Sequence, residues 1–331
     1  MRVLITGGAG YIGASLSQRL GARGDEVVVL DRFVHGPSSG SPLGKFEVWM
    51  GDVRDRRALE ELSRSVDVVV HLAFVSNDPK YELPQEIGRS VNIQGSREVF
   101  RAARRAGVGR VIVLSSCSVY GLQSGSLTES APVAPLTDYA RHKLLVESLM
   151  DDELDGVDSV ALRPATVAGL SPQMRLDLLL NRMVAQAMYE GELSVRRPAS
   201  WRPVTSMAHL QEVLVFLVHH PGTFAGARFN LASEHRTVGA WADRVALHMG
   251  VPRTSDTSED GDLRSYQVSC DALHEAMDHR LSGVSDEVLE GVAEFLRSRG
   301  GIELLEHPSH NRLVAQKGHD FGKAVPLERV A

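Results

Sequence analysis

The sequence predicts an α/β fold built on a doubly wound parallel sheet, with a second, smaller α/β domain. Three observations lead to this prediction. Short apolar runs alternate with amphipathic stretches over the first half of the 331 residues, a glycine-rich turn follows the first apolar run, and the alternation becomes irregular beyond Pro164. Strands that alternate with crossover helices form a parallel sheet covered on both faces, which is the Rossmann-type arrangement.

The first half divides into strands and helices of ordinary length. The predicted strands are short apolar runs at 2–6, 26–30, 46–50, 66–72, 110–115 and 157–163. The predicted helices lie between them at 14–23, 56–64, 87–106 and 138–150. Gly24 is in the position of a glycine that ends the first helix.

The second half is less regular. Predicted helices lie at 175–189, 204–218, 238–248 and 285–297, and predicted loops at 36–44 and 254–262. We expect the first domain to comprise 1–165 with returning segments at about 203–230, and the second to comprise 166–202 and 231–300. Residues 306–331 are polar and without pattern, which predicts a mobile C-terminal tail.

Composition and charge exclude several classes of protein. The net charge is −6, so no overall positive field attracts nucleic acid. No apolar run approaches the roughly 18 residues of a membrane span, and the chain opens with a strand-like run at 2–6 where a signal peptide would need a longer apolar region. Two cysteines, Cys117 and Cys270, form neither a disulfide framework nor a metal quartet. We therefore expect a cytoplasmic protein without metal, membrane or nucleic-acid partners.

The glycine-rich turn lies between the first predicted strand and the first predicted helix. Gly7, Gly10 and Gly13 have Gly-x-x-Gly-x-x-Gly spacing. Glycine permits a tight turn and a close approach of the backbone to a pyrophosphate, and the helix N-terminus then faces the phosphates. In this strand–turn–helix context the pattern predicts a dinucleotide site. A purely structural turn is the alternative.

An acidic residue follows at the distance expected for such a site. Asp31 ends the second predicted strand, where a carboxylate accepts hydrogen bonds from an adenosine ribose. A free carboxylate repels a 2′-phosphate, which favours NAD over NADP. Arg32 favours the opposite choice, because a guanidinium pairs with such a phosphate. The alternative interpretation of Asp31 is a surface acid without a ligand.

Two further strand ends lie at the same edge of the predicted sheet. Asp52 and Val53 follow the third strand, and residues 72–74 follow the fourth. Because carboxyl ends of parallel strands border the crevice in which a dinucleotide binds, we expect these residues to line it. His71, also at a strand end, is more typical of a packed side chain than of a base.

A tyrosine and a lysine lie one helical turn apart. Tyr139 and Lys143 are four residues apart, so they share a face of the helix predicted at 138–150. A phenol is a poor base at neutral pH, but a nearby ammonium favours the phenolate and lowers the phenol's pKa. A serine hydroxyl from 115–118, at the preceding strand end, orients a substrate oxygen and shares its proton. The set predicts hydride chemistry on an alcohol or a ketone.

These motifs resemble those of the extended short-chain dehydrogenases/reductases. Within that group the chain is similar to the NAD-dependent nucleotide-sugar epimerase/dehydratase family, including its UDP-glucose 4-epimerase-like members. The resemblance is carried by residues 6–13, 115–121 and 139–143, and it extends over about residues 1–299.

The resemblance implies roles for individual residues. Ser116 is the hydroxyl partner, Tyr139 the base and Lys143 its activator, while Asn92 steadies the central helix and the active site. The strand end that follows Arg163 lies beside the nicotinamide. The expected cofactor residues are Gly7, Gly10, Tyr11, Ile12, Gly13, Asp31, Arg32, Asp52, Val53, Leu72, Ala73, Phe74, Asn92, Tyr139, Lys143, Pro164 and Val167.

The second half resembles nucleotide-sugar epimerases at 171–181, 201–204, 229–231 and 264–266. The implied ligand is a nucleotide-diphosphate sugar. Arginines of these segments are candidates for the diphosphate, because a planar guanidinium holds two oxygens at once. The expected substrate residues are Ser116, Cys117, Ser118, Arg175, Asn181, Arg202, Asn230 and Arg264.

One departure from the family pattern narrows the expected reaction. Family dehydratases carry Asp-Glu where this chain has Cys117-Ser118, and family decarboxylases tend to keep the glutamate. Elimination needs its own acid and base, so both reactions are disfavoured. The resemblance then implies an NAD-dependent epimerase that acts at C4 through a transient 4-keto sugar. It also implies a homodimer formed through the helices predicted at 87–106 and 138–150.

Two other functions remain open on the sequence alone. An NAD(P)-dependent reductase or dehydrogenase of a keto or hydroxy substrate, either a sugar or a secondary metabolite, uses the same residues. Net consumption of nicotinamide distinguishes it from an epimerase. A cofactor-sensing regulatory protein is the second alternative, but such proteins often lose the tyrosine or the lysine, and this chain keeps both.

Overall fold

The computed structural model describes residues 1–34, 42–76, 85–222, 224–256, 261–299 and 325–326. Apart from 325–326, the predicted tail at 306–331 lies outside these ranges, as does most of the predicted loop at 36–44. The helices are α1 (Tyr11–Ala22), α2 (Arg56–Ser63), α3 (Gln85–Arg89), α4 (Ser96–Ala106), α5 (Asp138–Glu153), α6 (Leu179–Glu190), α7 (Met207–His219), α8 (Val238–Met249), α9 (Asp271–Met277) and α10 (Asp286–Arg299).

The strands are β1 (Arg2–Thr6), β2 (Glu26–Asp31), β3 (Glu47–Met50), β4 (Val68–His71), β5 (Arg110–Leu114), β6 (Leu122–Leu127), β7 (Asp158–Pro164), β8 (Thr166–Ala168), β9 (Leu193–Arg196), β10 (Trp201–Ser206), β11 (Ala227–Leu231), β12 (Glu234–Thr237), β13 (Arg253–Asp256), β14 (Ser265–Val268) and β15 (Val325–Pro326). A π-helical segment at Ser90–Gly95 joins α3 to α4. A 3-10 turn at Cys117–Tyr120 follows β5.

One large sheet organises the fold. Parallel strands follow the order β11-β7-β5-β4-β1-β2-β3, and β15 pairs antiparallel with β3 at the edge. The chain builds outward from β1 through β2 and β3 and then crosses to the other side with β4. In such sheets the ligand crevice opens where this reversal occurs, at the carboxyl ends of β1 and β4. The prediction of a Rossmann-type parallel sheet is confirmed.

The central strands are apolar on both faces because helices cover both faces. Leu4 in β1 and Val69 in β4 face one layer of helices, and Ile5 and Val70 face the other; all four are fully buried. Helices α1 and α7 form one layer, and α2, α4 and α5 form the other. Within the described ranges, no helix is both long and apolar enough to cross a membrane.

Smaller sheets lie outside the large one. β10 pairs with β8 and β12, β9 pairs with β13, and β6 pairs with β14. Helices α6, α8 and α10 share a separate apolar core around the fully buried Trp241. The chain between these parts returns to the large sheet, where α7 packs on α1 and β11 pairs with β7. The division of the chain into two domains at the expected boundaries stays a prediction.

The helix predicted at 204–218 is wrong at its start. Residues 204–206 belong to β10, and α7 begins at Met207. The hydroxyl of Ser206 accepts a hydrogen bond from His209 N at 3.2 Å, which caps the new helix. The strand passes directly into the helix without an intervening loop, so the sequence pattern gives no gap that would separate the two elements.

Two further segments differ from the predictions. The helix predicted at 175–189 begins at Leu179, so Arg175 lies in the loop before α6. The loop predicted at 254–262 begins as a strand, because residues up to Asp256 pair with β9.

The helix predicted at 87–106 contains the π-helical segment. Gly95 ends this segment, and a Cβ at that position would lie 2.6 Å from Cγ2 of Val53. The missing side chain therefore lets the helix approach the end of β3 closely. The Ser96 hydroxyl donates to Asn92 O at 2.5 Å within the same turn.

Candidate active site

The glycine turn packs tightly against the end of β4. Gly7 has a φ of +75°, and a Cβ on it would lie 2.6 Å from Ala73 N. A Cβ on Gly13 would collide with Gly7 O. Gly7 N donates to Leu30 O at 2.8 Å, which holds the turn beside β2. The turn thus leaves a side-chain-free cradle at the N-terminus of α1, which fits the phosphates of a dinucleotide.

The carboxylate of Asp31 lies at the rim of this cradle. Its oxygens accept hydrogen bonds from Ala9 N at 3.0 Å and from Phe33 N at 2.8 Å. Burial raises the pKa of Asp31, and these backbone hydrogen bonds oppose the rise. The carboxylate is therefore fixed in orientation beside the turn, at the position expected for a ribose acceptor.

Arg32 is directed toward Asp52. Its Nε lies 3.3 Å from Asp52 Oδ2. Arg54 also pairs with the same carboxylate, through Nε at 2.8 Å and Nη2 at 2.9 Å. This pairing occupies the side chain that would recognise a 2′-phosphate, which agrees with NAD as the cofactor.

His71 is a packed strand-end histidine, as its sequence context indicates. Its Nδ1 lies 2.7 Å from the hydroxyl of Thr6, and its Nε2 lies 2.8 Å from the hydroxyl of Ser96. Burial lowers the pKa of His71 to about 3, with a smaller effect of the same sign from Lys143. The ring is neutral, fully engaged and unavailable as a base.

Tyr139 and Lys143 meet the carboxyl ends of β4 and β5. Helix α5 begins just before them, where the Thr137 hydroxyl caps Ala140 N at 3.2 Å. Lys143 Nζ donates to Leu114 O at 2.6 Å and lies 5.6 Å from the centroid of the Tyr139 ring. The pair therefore shares one helix face, as predicted.

Phe74 completes the surroundings of the pair. Its ring centroid lies 3.5 Å from Lys143 Nζ and 5.6 Å from the centroid of the Tyr139 ring, with the two aromatic rings nearly perpendicular. A cation above an aromatic face is attracted by the ring quadrupole. Phe74 thus contacts both members of the pair.

Burial changes the proton affinity of both groups. It lowers the pKa of Lys143 to about 7, although the nearby Glu147 charge opposes this effect. It also raises the pKa of the Tyr139 phenol, while a hydrogen bond with Ser116 and the charges of Arg175 and Arg264 act to lower it. The proton affinity of the phenol therefore depends on the hydroxyl and the cations around it.

Ser116 ends the strand region of β5 and begins the 3-10 turn. Its hydroxyl accepts a hydrogen bond from Ser118 N at 3.1 Å. A hydrogen bond with Ser116 acts to lower the pKa of Tyr139, which agrees with a position of this hydroxyl beside the phenol. The three residues expected to act together are therefore brought to one place by β5 and α5.

Glu147 is an important residue that the sequence analysis missed. It is 1% exposed and accepts hydrogen bonds from the hydroxyl of Ser115 and from Arg163 Nη2, the latter at 2.6 Å. Burial acts against its charge, but Arg163 outweighs this effect and holds the pKa of Glu147 below its usual value. The spacing of Tyr139, Lys143 and Glu147, each four residues apart, was the available signal.

Asn92 connects the cofactor side to α5. Its Oδ1 accepts from Val75 N at 2.7 Å, and its Nδ2 donates to Val75 O at 3.1 Å. Its Nδ2 also lies 3.3 Å from His142 Nδ1 on α5. Both ends of the amide therefore fix the chain that follows β4, which agrees with the steadying role that the resemblance implies.

A single groove contains most of the expected cofactor residues. It is lined by Gly7, Gly10, Tyr11, Ile12, Gly13, Asp31, Arg32, Val53, Leu72, Ala73, Phe74, Tyr139 and Lys143. The expected residues Asp52, Asn92, Pro164 and Val167 are not part of this lining. Arg175, expected on the substrate side, does line the groove, and so do Phe33, Val34 and Val75, which the sequence did not indicate.

Arg175 is held near the phenol by contacts of its loop. Asn181 Nδ2 donates to Arg175 O at 2.9 Å and to the Tyr11 hydroxyl at 3.2 Å, and that hydroxyl donates to Gly169 O at 2.7 Å. The Arg175 side chain pairs with Asp177, with its Nε 3.0 Å from Oδ1. The loop before α6 is thus tied to the first residue of α1.

Other expected substrate residues have internal partners. Asn230 is fully buried, accepts from the Tyr120 hydroxyl at 2.8 Å and donates to Leu127 O at 3.2 Å. Cys117 is also fully buried and its thiol donates to Arg163 O at 2.9 Å. These contacts stabilise the scaffold, and direct binding of substrate by these two side chains stays a prediction.

A tyrosine and a lysine beside a dinucleotide groove, at the carboxyl ends of parallel strands, are typical of short-chain dehydrogenases/reductases. In those enzymes the tyrosine exchanges a proton with the substrate beside a nicotinamide. Residues 3–232 match the model of the NAD dependent epimerase/dehydratase family, and the chain belongs to that family. It is accordingly an enzyme of the extended short-chain dehydrogenase/reductase type with NAD as its cofactor.

Individual relatives show how far the similarity extends. UDP-glucose 4-epimerase of Streptomyces lividans is 33% identical over 181 residues, which are 53% of this chain and 55% of that protein. The chain thus spans about half the length of the curated 4-epimerases it matches. Sterol demethylase protein B of Methylococcus capsulatus is 30% identical over 261 residues, 75% of each protein.

A solved structure supports the fold independently. The UDP-glucuronic acid 4-epimerase of Bacillus cereus, in complex with UDP-glucuronic acid and NAD, superimposes with a TM-score of 0.80. The superposition covers 91% of this chain and all of the other at 22% identity, and it therefore supports the shared architecture alone.

Proposed function

We propose that this enzyme is a nucleotide-sugar epimerase that inverts C4 through transient oxidation to a 4-keto sugar. The observation that carries the proposal is the pair of Tyr139 and Lys143 in the lining of the dinucleotide groove, with the Ser116 hydroxyl acting on the phenol. The turn at Cys117–Tyr120 supplies no carboxylate beside them, so the acid and base that an elimination needs are missing from that turn.

NAD, when bound in the groove, supplies a reversible hydride acceptor for the sugar carbon. The glycine turn holds its phosphates and Asp31 its adenosine ribose. Tyr139 takes the proton from the C4 hydroxyl and returns it after the sugar has presented its other face. Ser116 donates to the sugar oxygen and keeps it within reach of the phenol.

Lys143 supports the phenolate while Tyr139 is without its proton. Its ammonium lies on the same helix face as the phenol and is held by Leu114 O. In a site shielded by Phe74, a cation at this distance acts more strongly on the phenolate than it would in water. Lys143 therefore activates the base, and Phe74 maintains the low local polarity that makes the activation effective.

The substrate class follows from the cations beside the phenol. Arg175 and Arg264 both act electrostatically on Tyr139, and Arg202 lies next to Arg264 through a shared partner. Guanidinium groups suit a diphosphate. The UDP-glucuronic acid named in the related 4-epimerase structure has this chemistry, and we extend it to this chain.

A net reductase or dehydrogenase of a keto or hydroxy substrate is the second candidate. It is favoured by the match to a sterol demethylase protein over three quarters of both chains, a longer match than the one to the Streptomyces 4-epimerase. The same three residues would serve this reaction. It differs because the nicotinamide is consumed and no epimer is formed.

The proposal also includes the assembly and the compartment. We infer a cytoplasmic homodimer formed through α4 and α5. Leu145 on α5 is 51% exposed and offers an apolar contact on this surface. Arg101 Nη2 on α4 pairs with Glu153 Oε1 on α5 at 3.0 Å, which joins the two helices within one chain. Light scattering of the purified protein tests the dimer directly.

Product analysis with a panel of nucleotide-sugars, without added cofactor, tests the reaction. A new epimer in equilibrium with its parent supports an epimerase that retains NAD. Conversion that requires stoichiometric NAD or NADH, with a matching absorbance change, supports the reductase or dehydrogenase instead. Keto and hydroxy sterols belong in the same panel, because they separate the second candidate from a sugar enzyme.

A further inference from the structure

The segment between β8 and α6 is hydrogen-bonded to the first residue of α1. The Tyr11 hydroxyl donates to Gly169 O at 2.7 Å, and the Ser171 hydroxyl donates to Tyr11 O at 2.5 Å. Asn181 adds a third contact, because its Nδ2 donates to the Tyr11 hydroxyl at 3.2 Å. The three side chains that make these contacts are all buried. Hydrogen bonds shielded from solvent therefore join residues 169–181 to the N-terminus of α1.

These contacts hold Arg175 at the dinucleotide groove. Asn181 Nδ2 also donates to Arg175 O at 2.9 Å, and Asn181 Oδ1 accepts from Gly169 N at 3.1 Å. The amide of Asn181 thus uses both of its N–H groups and its oxygen within the protein. The side chain of Arg175 lines the same groove as Gly10 and Tyr11. A cation from a distant part of the chain is therefore anchored to the helix start that faces the phosphates.

Asp177 fixes the orientation of this guanidinium. Arg175 Nε donates to Asp177 Oδ1 at 3.0 Å, and Nη2 donates to Oδ2 of the same carboxylate. The third nitrogen, Nη1, makes no hydrogen bond within the part of the chain that the structure describes. A guanidinium is a rigid planar fork with donors on every nitrogen, so its Nη1 end can bind an anion while Asp177 holds the other edge.

The other cations of the groove have partners elsewhere. Among the described residues, the cations in the lining are Arg32, Lys143 and Arg175. Arg32 Nε lies 3.3 Å from Asp52 Oδ2, and Lys143 Nζ donates to Leu114 O at 2.6 Å beside the phenol. The glycine turn offers backbone N–H dipoles, but no full charge, to a pyrophosphate that carries a charge on each phosphate. Arg175 is therefore the cation best placed to balance those charges.

We propose that Arg175 completes the phosphate site of NAD: its guanidinium binds the pyrophosphate together with the glycine turn, and Tyr11 positions it there. This role needs only NAD as the cofactor and does not depend on the reaction proposed above. It is additional to the charge that Arg175 exerts on the phenol. A charge-assisted contact with phosphate is stronger than one between neutral groups, so the loop before α6 contributes to cofactor binding. Bound NAD in turn holds that loop in place.

The test is equilibrium titration of the full-length enzyme with NAD and with adenosine, after any retained nucleotide has been removed. Arg175→Gln should bind NAD at least about tenfold more weakly than the wild type, a change of about 1.4 kcal/mol, because the charge-assisted contact is lost. Adenosine has no phosphate and should bind equally to both. Arg175→Lys keeps the charge without the planar fork and should recover part of the lost affinity.

Arg182→Gln is the matched control. Arg182 lies on α6, is exposed and is not part of the groove lining, so its substitution should leave the affinity for NAD unchanged. Tyr11→Phe tests the anchor. It should weaken NAD binding in the wild type and add nothing in the Arg175→Gln background, because both substitutions remove the same contact. Thermal unfolding checks that each variant is folded.

Equal affinity of Arg175→Gln and the wild type for NAD would overturn the inference. An equal loss of affinity for adenosine and NAD would overturn it as well, because the loop would then act without contacting the phosphates. Losses that simply add in the double variant would contradict the positioning role of Tyr11. An enzyme that loses NAD affinity as expected but forms no epimer from any nucleotide-sugar would contradict the proposed function alone.

Discussion

At the scale of single residues, the phenol of Tyr139 decides whether this site performs proton transfer. Tyr139→Phe removes the hydroxyl and leaves the ring that packs on Phe74. Turnover should fall by at least about 100-fold, because general acid–base catalysis contributes that much or more. NAD binding, followed by calorimetric titration, should remain nearly unchanged.

A matched variant separates this effect from the loss of any buried tyrosine hydroxyl. Tyr189 lies on α6 and outside the groove lining, and its hydroxyl has no hydrogen-bond partner among the described residues. Tyr189→Phe should keep full turnover. Equal activity of Tyr139→Phe and the wild type would mean that another group carries the proton.

Lys143 makes folding stability depend on pH. Its pKa is about 7 in the folded enzyme and 10.5 ordinarily, so between these values only the unfolded chain holds the proton. Stability therefore rises with pH across this interval, and below it the full cost of burying the charge is present. Each pKa unit corresponds to about 1.4 kcal/mol.

Lys143→Met removes that cost together with the catalytic amine. The variant should be more stable than the wild type by a few kcal/mol at about pH 6, and the difference should shrink as the pH approaches 10. Denaturant unfolding at several pH values measures it. A difference that does not change with pH would show that the ammonium is not desolvated in the folded enzyme.

At the scale of elements, the turn between β1 and α1 depends on glycine. Gly7→Ala places a Cβ 2.6 Å from Ala73 N at a φ of +75°. The turn must shift, and the affinity for NAD should fall at least about tenfold, a change of 1.4 kcal/mol. Titration of the purified protein with NAD measures this loss.

Gly24→Ala is the control for backbone strain alone. Gly24 has a φ of +89°, and a Cβ there would meet nothing within 4 Å. This variant should lose a modest amount of stability and keep its affinity for NAD. Equal loss of affinity in both variants would mean that strain, and not the contact with β4, determines the NAD site.

The second element-scale prediction concerns the junction of α5 with β7. Glu147→Gln leaves Arg163 buried beside a neutral partner, and the free energy of unfolding should fall by about 3–5 kcal/mol. Arg163 is 3% exposed and also donates a hydrogen bond to the Tyr120 hydroxyl at 2.9 Å, so it remains buried when its partner Glu147 is neutral. Chemical denaturation measures the loss.

Glu153→Gln is the comparison on the same helix. Glu153 pairs with Arg101 at the surface, where solvent weakens ion pairs, so stability should change little. If both variants lost a comparable free energy of unfolding, the buried pair of Glu147 and Arg163 would not stabilise the enzyme more than the surface pair does.

The elements that could be predicted are those with a local signal. The strands from β1 to β5 and the glycine turn follow from apolar runs and glycine spacing. The start of α7 was missed, because α7 begins at the residue that directly follows β10, with no loop between them. The π-helical segment at Ser90–Gly95 was also missed, and Gly95 at its end approaches Val53, which is distant in the sequence.

At the scale of the whole molecule, long-range contacts limit what sequence can show about the site. The spacing of four residues predicted that Tyr139 and Lys143 lie on one helix face, and the structure has them there. Asp262 could not be connected with Arg202, because 60 residues separate them. Arg175 joins the cofactor groove only because Asn181 ties its loop to α1.

The central claim concerns the whole enzyme: one hydride leaves C4 and returns to the same carbon. The most direct measurement uses a nucleotide-sugar substrate deuterated at C4, without added cofactor, and locates the label in the product by NMR. The account predicts an epimer that keeps deuterium at C4. An epimer without deuterium at C4, or label that accumulates on the nicotinamide with a keto product, would contradict it.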